Sequence, residues 1–271
     1  MTVLCSALEV SVSGFYAWHK REPSQHSRED AELANKITTA FQCNRGVYGS
    51  PRVHAELKDQ GIKCARKRVA RLMRELDLVA KRPRHRTVTT HSEEGASVAP
   101  NLLHQDFHAD PPNEKWTSDT TYIWTQEGWL YLAVVLDLFS RMVVGWAMAA
   151  TQDATLVGKA LEMAIARRSP QAGLLHHSDR GSTYTSESYL ALLHQHEMIV
   201  SMSRTANCYD NSVTESFFHS LKGECLDQET FQSRAQARST TFDYIETFYN
   251  RTRRHSTLQY MSPLMFEQEM D

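Results

Sequence analysis

The sequence predicts an α/β domain built on a mixed sheet, preceded by a small all-helical region. Three observations lead to this fold class. Residues 115–150 have the pattern of three consecutive antiparallel strands, of which the middle one is the most apolar. Helical and strand-like segments then alternate, which is typical of layered α/β domains. Before residue 80, the apolar residues recur at helical spacing between polar and charged ones.

The helical region contains a candidate for two helices joined by a short turn. A first helix is predicted over 27–42, with Ser27 as its N-cap. Pro51 suits the first position of the next helix, which Gly61 ends. A third helix over 65–76 would turn four apolar residues inward: Val69, Leu72, Met73 and Leu76. Two helices around a Gly-containing turn, the second rich in Arg, resemble a helix-turn-helix.

Positive charge is concentrated on and after this third helix. The whole chain has a formal net charge of −2, yet residues 61–86 carry ten Lys or Arg against Glu75 and Asp77. Such a local excess of cations is typical of phosphate binding. We therefore expect DNA contact, to phosphate rather than to bases, from Arg66, Lys67, Arg68 and Arg71. The alternative is a basic, solvated helix that only packs on its neighbour.

The composition argues against several other classes of protein. The five cysteines are widely spaced and form no CxxC, which predicts reduced thiols and no structural zinc. No apolar run is long enough to span a membrane, and the N-terminus has no secretory signal. The expectation is a soluble, cytoplasmic protein that is not associated with a membrane.

The predicted elements of the core follow one another from about residue 113. The strands WTSDTTYIWT, WLYLAVVLDLF and MVVGWAMAA precede the helix ATLVGKALEMAIARR. The strand LLHHS, a helix over 186–196, the strand IVSMS and a last helix complete a five-stranded sheet. The predicted domains are a helical subdomain over 1–80, a Pro-rich and charged linker over 81–112, a core over 113–230 and a helical extension over 231–271.

Three carboxylates are candidates for chemistry. Asp179 is predicted where a buried strand ends and a loop begins, a position where functional residues collect. Asp119 lies inside an aromatic strand, where Asp is disfavoured by propensity. Glu215 lies early in the last helix, and Lys222 follows seven residues later on the same open face, roughly 10 Å along the helix axis.

The polar residues near these carboxylates have other possible roles. Glu215 also completes a capping box that begins at Ser212. Asp137 competes for a catalytic role, although a local structural role at a strand end is favoured. His176 and His177 border Asp179 and are interpreted as supporting or ordinary strand residues rather than metal ligands.

In combination these features resemble the DDE transposases and retroviral integrases. Asp119 and Asp179 are separated by 59 residues, and Asp179 and Glu215 by 35. Asp179 lies in the phrase HHSDRGSTYTS, and Glu215 lies in the phrase NCYDNSVTESFFHSLK. More narrowly, nearly the whole chain is similar to the second-frame product of the IS-three family of bacterial insertion sequences. The closing phrase YNRTRRHSTLQYMSP also resembles that family's, except that Gln259 stands where the family usually has Gly. Two roles are open for its basic residues, phosphate contact or capping of the sheet edge: Arg251, Arg253, Arg254 and His255.

The resemblance implies a ribonuclease H-like fold, with flanking helices on the mixed sheet and a helix-turn-helix-like subdomain before it. It also implies that Asp119, Asp179 and Glu215 meet at one edge of the sheet as catalytic and metal-ligating residues. Crowded carboxylates repel one another unless a cation is present, and hard oxygen ligands favour Mg²⁺ or Mn²⁺. We expect two ions per site, with Lys222 bound to a nearby DNA phosphate.

The activity implied by the resemblance is transposition of DNA. The site would hydrolyse a phosphodiester at an element end, and the freed 3′-hydroxyl would attack a target strand. The family further implies a copy-out, paste-in route through a circular intermediate, a homo-oligomer, and cooperation with an upstream first-frame product that carries a helix-turn-helix and a leucine zipper. Two alternatives are a DNA-binding regulator with a non-catalytic ribonuclease H-like scaffold and a ribonuclease H-type nuclease.

Overall fold

The computed structural model describes residues 1–81, 99–204 and 208–270. The chain divides into two compact units, Met1–Ala80 and Lys81–Asp271. Most of the predicted linker, including the cations Arg82, Arg84 and Arg86, lies outside the described residues. Within the described part, no helix has the length and apolar character needed to cross a membrane.

The first unit is built from five helices. They are α1 Thr2–Ala7, α2 Val12–His19, α3 Gln25–Cys43, α4 Ser50–Asp59 and α5 Arg66–Glu75. The last three share an apolar core, with the largest buried side chains at Ile37, Tyr48 and Leu57. Gly61 has a φ of +76° between α4 and α5, a left-handed conformation that glycine adopts without steric cost. The predicted pair of helices and its glycine turn are therefore present.

Two local predictions in this unit are wrong. The N-cap of α3 is Ser24, whose hydroxyl accepts the backbone N–H of Ser27 at 3.2 Å. Leu76 fits the apolar period of α5, but the helix ends at Glu75 and the Leu76 side chain is exposed. A periodic pattern does not locate the last turn of a helix, beyond which the period no longer determines the direction of a side chain.

The second unit is organised around a five-stranded mixed sheet. Its strands are β1 Lys115–Thr125, β2 Gly128–Asp137, β3 Val143–Ala149, β4 Leu175–Ser178 and β5 Ile199–Met202. The strand order is β3-β2-β1-β4-β5. The pairs β1–β2 and β2–β3 are antiparallel, and β1–β4 and β4–β5 are parallel. This sheet confirms the predicted ribonuclease H-like architecture.

Helices flank this sheet. They are α6 Ala154–Arg168, α7 Glu187–Gln195, α8 Ser212–Glu224, α9 Arg234–Phe242 and α10 Pro263–Met270, with a π-helix over Asp243–Tyr249. A core cluster that includes Trp116, Leu161 and Tyr189 joins the sheet to α6 and α7. Helix α6 approaches β3 so closely that a Cβ at Gly145 would lie 2.2 Å from the Ala160 carbonyl oxygen. α8 packs against β1.

Segments at both ends of this unit are tied to the sheet. In the second half of the predicted linker, the Leu102 and Leu103 amides donate to the Ser201 hydroxyl of β5. The side chain of Asn250 pairs with both backbone groups of Val143 in β3. Residues 99–112 and the C-terminal extension therefore belong to the packed unit and stabilise its two sheet edges.

The C-terminal cations divide between a structural and an open role. Arg253 is 3% exposed and donates two hydrogen bonds to the carboxylate of Glu224 at the end of α8. Arg254 is also buried and donates to the carbonyl of Tyr260, whereas Arg251 is exposed. Gln259 has a φ of +53°, in the left-handed region that favours the glycine usual in the resembled family.

Candidate active site

The sheet register brings Asp119 and Asp179 to neighbouring positions. The parallel pairing of β1 with β4 matches Thr117 with His177. Continued by two residues, this register places Asp119 beside Asp179, which follows β4 directly. Adjacent strands lie about 4.8 Å apart, and parallel register directs paired side chains to the same face. Sixty positions of sequence separation therefore become one strand spacing.

Helix α8 holds Glu215 against the same strand. The Thr214 hydroxyl donates to the Thr117 hydroxyl at 2.7 Å, and the Asn211 amide donates to the Ser118 carbonyl at 3.2 Å. Thr117 lies two residues before Asp119 and thus on the same face of β1. The predicted capping box is absent, because Asn211 occupies the N-cap and Ser212 is already the first helical residue.

The pKa of Asp119 reflects the charges of the other two acids of the triad. Burial, followed by the charge of Asp179, raises the pKa of Asp119 well above its ordinary value. Glu215 acts in the same direction, and Lys222 opposes it. Burial likewise raises the pKa of Asp179 and the pKa of Glu215. Three carboxylates and one ammonium group therefore share one local field.

Backbone amides orient the two aspartates. The Thr120 N–H donates to Oδ1 of Asp119 at 2.7 Å, and the Gly181 N–H donates to Oδ1 of Asp179 at 2.9 Å. A Cβ at position 181 would lie 3.1 Å from that Oδ1, so the glycine gives the carboxylate room. Among the described residues no hydrogen bond engages either Oδ2. One oxygen of each carboxylate is thus held by the protein, and the other is available to a ligand.

The donor set fits a hard divalent cation by its chemistry. All three residues offer carboxylate oxygen, the ligand type that Mg²⁺ and Mn²⁺ prefer, and burial raises the pKa of each, with the charge of Asp179 adding to the effect at Asp119. Yet the described residues contain no group of three His, Cys, Asp or Glu side chains spaced to hold a metal ion. The carboxylates are therefore close enough to repel one another but not arranged as a three-ligand cage.

Lys222 lies beside the triad on the predicted face of α8. Its Nζ is 5.1 Å from the centre of the Tyr122 ring, over the continuation of β1 beyond Asp119. Its charge also lowers the pKa of Asp119. The orientation that Lys222 shares with Glu215 stays a prediction, which the effect of Lys222 on Asp119 supports.

Asp210 is a supporting residue that the sequence analysis did not single out. It is fully buried, and its carboxylate accepts hydrogen bonds from four side-chain and backbone sources. The donors are the side chains of Asn101, Gln105 and Arg204 and the backbone N–H of Arg204. Although burial opposes ionisation, these donors hold the pKa of Asp210 well below its ordinary value. Asp210 thereby fixes the entry to α8 and, with it, Glu215.

The other polar candidates have structural roles. Asp137 ends β2, is fully buried, and accepts the amides of Asn113 and Phe139. His176 contacts the hydroxyls of Ser118 and Tyr189, and His177 lies between Ser201 and Ser203. Burial lowers the pKa of His176 to about 3 and the pKa of His177 to about 4. Both imidazoles are therefore neutral at neutral pH and support β4 rather than the reaction.

The four predicted DNA-contact residues of α5 have different environments. Arg68 donates to Asp30 of α3 at 2.6 Å, and Arg71 donates to the other oxygen of the same carboxylate at 2.5 Å. Arg66 and Lys67 are exposed. The structure thus assigns Arg68 and Arg71 a structural ion-pair role that the sequence analysis did not foresee.

Models of known protein families match most of the chain. Two models described as integrase core domains match residues 109–208 and 215–270, and a model described as an HTH-like domain matches residues 27–86. The first two contain the entire triad. The third contains α4, α5 and nearly all of α3, and with them Arg66, Lys67, Arg68 and Arg71.

Individual relatives match over nearly the full length. A 31 kDa protein of insertion element IS600 from Shigella sonnei is 44% identical over 98% of this chain and 98% of its own. The transposase InsF for insertion sequence IS3A of Escherichia coli is 44% identical over 97% of this chain and 92% of its own. The simian T-cell lymphotropic virus intasome matches 79% of this chain and 69% of its own, with a TM-score of 0.50 and 14% identity, which supports the fold alone.

Proposed function

Because the chain belongs to the IS3 family of insertion-sequence transposases, we propose that its core cuts DNA at element ends and joins the freed 3′-hydroxyl to a target strand. The protein is a transposase with an integrase core domain, in a family of polynucleotidyl transferases. Its HTH-like domain makes DNA its partner.

In this proposal Asp119, Asp179 and Glu215 are the catalytic and metal-ligating residues. The observation that supports it is the shared field at Asp119, whose pKa is raised by burial and then by the other two acids. Three carboxylates that repel one another lie at one edge of the sheet, and a site for divalent ions accounts for this arrangement. Divalent ions, when bound, would neutralise these charges and supply Lewis-acid chemistry for in-line displacement at phosphate.

The chain's own groups would bind and orient the reactants. The amides of Thr120 and Gly181 hold the two aspartates in fixed rotamers before any ligand arrives. Lys222 would bind a non-bridging oxygen of the DNA phosphate next to the triad. Because the described geometry is looser than a three-ligand cage, we expect Glu215 and the aspartates to draw together on ion binding. Catalytic sites commonly tighten in this way when ligands bind.

The helical unit would bring DNA to this core. We propose Arg66 and Lys67 as phosphate contacts, because both are exposed at the start of α5. Arg68 and Arg71 would act indirectly, by holding α5 against α3 through Asp30. A homo-oligomer and the upstream first-frame product are further proposed partners. The proposed domain limits are 1–80, 81–112, 113–230 and 231–271, with residues 99–112 of the linker packed on the core.

A strand-cleavage and joining assay tests the assignment. The chain is incubated with linear DNA that carries candidate element ends and Mg²⁺, with and without the first-frame product, and the strands are resolved on denaturing gels. Asp179→Asn and Glu215→Gln should each abolish cleavage and joining. Glu162→Gln, an exposed acid on α6, is the matched control and should retain both. Full Mg²⁺-dependent activity in either site variant would refute the proposal.

The same assay separates the two alternatives. A DNA-binding regulator would bind the ends with a steep salt dependence and leave them uncut. A ribonuclease H-type nuclease would cleave an RNA–DNA hybrid and would not join strands. The presence of all three acids with Lys222 in one field favours the transposase over the first alternative, and family membership favours it over the second.

A further inference from the structure

A groove adjoins the triad at the far end of β1. It has a volume of about 220 Å³ and lies between the last residues of β1 and the segment that follows α8. The two sides are joined where the Gln126 N–H donates to the Phe231 carbonyl at 3.0 Å. Its lining includes Tyr122, Trp124, Lys222, Asp227, Glu229 and Phe231. We call it the β1-end groove.

The β1 side of the groove belongs to an exposed aromatic cluster. Trp124 is 53% exposed and Tyr122 38% exposed, and both rings meet Trp129 of β2 edge to face. Large aromatic side chains normally contribute their area to a core, so a clustered and exposed set indicates a binding surface. Rings locked by one another lose little entropy when a flat ligand stacks on them.

The opposite side of the groove includes Asp227, one carboxylate oxygen of which lacks a hydrogen-bond partner. Oδ2 of Asp227 is buried, and no donor among the described residues reaches it. A buried carboxylate oxygen without a hydrogen bond costs free energy that a ligand N–H would recover. Glu229 adds a second acidic group to the lining. Two acids make the groove unsuitable for phosphate and suitable for a flat ligand that carries amino groups.

The groove is continuous with the proposed catalytic site through Lys222. Its ammonium group lies over Tyr122 and acts electrostatically on Asp119, so it belongs to both places. Tyr122 follows Asp119 by three residues, roughly 10 Å along the strand, and the alternation of the strand directs it to the opposite face of β1, so Lys222 is the group that links the two places. A nucleotide whose phosphate lies at Lys222 could therefore extend its base into the groove.

We propose that the β1-end groove binds one unpaired nucleobase of the DNA strand held at Lys222. This inference rests on the proposed function, which brings that strand to Lys222. The base would stack on Trp124 or Tyr122, and its exocyclic amino group would donate to Oδ2 of Asp227. Adenine and cytosine carry such an amino group and thymine does not. The groove thus favours amino-bearing bases and requires the strand to be unpaired there.

Binding of labelled single strands tests this inference without catalysis. Fluorescence anisotropy in EDTA would compare short oligo(dC), oligo(dA) and oligo(dT) on the full chain. We expect oligo(dC) and oligo(dA) to bind about tenfold more tightly than oligo(dT). Trp124→Ala should weaken oligo(dC) binding about tenfold, the effect of losing one stacking contact. Asp227→Asn should bring the dC:dT ratio close to one.

Matched controls make the result specific to the groove. Phe242→Ala removes an exposed aromatic ring on α9, and Glu187→Gln removes an exposed acid on α7; both should keep the wild-type ratio. Duplex binding should not change in Trp124→Ala, because paired bases cannot enter the groove. A wild-type ratio near one, or a ratio unchanged by Asp227→Asn, would overturn the inference. Because no metal is present, failure here leaves the cleavage assay of the triad variants unaffected.

Discussion

Two acidic regions of the core, one around Asp210 and one at the triad, have opposite electrostatics. Asp210 is surrounded by donors from Asn101, Gln105 and Arg204, and its pKa is lowered despite burial. Asp119 receives one adjacent amide and faces two other acids, and its pKa is raised. The fold satisfies the first region with its own groups and leaves the second short of positive charge. Such a deficit identifies the region whose partner comes from outside the chain.

Removal of the Asp119 charge should have the largest effect and tests the difference between the triad and the region around Asp210. Asp119→Asn should reduce strand cleavage at least about a thousandfold, because the cation site loses several kcal/mol of stabilisation. In EDTA the same variant should melt at a higher temperature than wild type. The pKa of Asp119 is raised in the folded state, so its ionisation disfavours folding as pH rises above the ordinary value, and the neutral amide avoids this cost.

Thermal melting with added Mg²⁺ gives a second measure of the same variant. Mg²⁺ should raise the melting temperature of wild type and have little effect on Asp119→Asn, since an ion that binds the folded state stabilises it. Glu162→Gln should behave as wild type. An Asp119→Asn variant that melts lower than wild type in EDTA would mean that the triad is satisfied internally, as Asp210 is.

Removing Asp210 should have the reverse effect on stability. Asp210→Ala leaves the Arg204 guanidinium and two amides without their acceptor, and we expect the free energy of unfolding to fall by about 3 kcal/mol. Urea unfolding measures this difference. Asp110→Ala, at an exposed acid of the same unit, should change stability by less than about 0.5 kcal/mol. Equal stabilities for the two variants would remove the distinction between the regions.

His177 allows a smaller test, at a neutral group that the fold satisfies. Its pKa is lowered to about 4 by burial, against an ordinary value of 6.5, so below pH 6.5 the unfolded chain binds more protons than the folded one. The free energy of unfolding should therefore fall by about 2.5 kcal/mol from this group as pH falls from 6.5 to 4. His177→Gln should reduce that slope, and His194→Gln, at an exposed position on α7, should not.

The sequence predicts the triad because its chemistry is carried by residue type and spacing. Asp119 could be selected without coordinates as an acid in an aromatic strand, and Glu215 by its spacing from Asp179 and Lys222, which resembles the family's pattern. Asp210 could not, although it lies in the same phrase as Glu215. Its role depends on Asn101 and Gln105, more than a hundred positions away, and no local pattern indicates such partners.

The helical unit has the same limit. The concentration of cations on α5 was evident from the sequence, but which of them are neutralised was not, because Asp30 lies on another helix. The prediction that Leu76 is buried was wrong for a different reason. Helical periodicity gives the buried face of a helix without giving its last residue, so the period does not determine whether an apolar residue at the helix end is buried.

The cations of α5 allow the same comparison between groups that are paired within the fold and groups that are not, and the expected effect is the smallest. Arg66→Gln and Lys67→Gln should each lower the slope of log affinity against log salt by about 1, because each releases one counterion on binding phosphate. Arg71→Gln should leave the slope unchanged and lower the melting temperature, because Arg71 is paired with Asp30 and Glu75. Duplex binding by fluorescence anisotropy over a range of salt measures the slopes, with Lys58→Gln on α4 as the control. Arg71→Gln could instead change the salt slope as much as Arg66→Gln does. The Arg71–Asp30 ion pair would then open when DNA binds, and an ion pair within the fold would not identify a cation as structural.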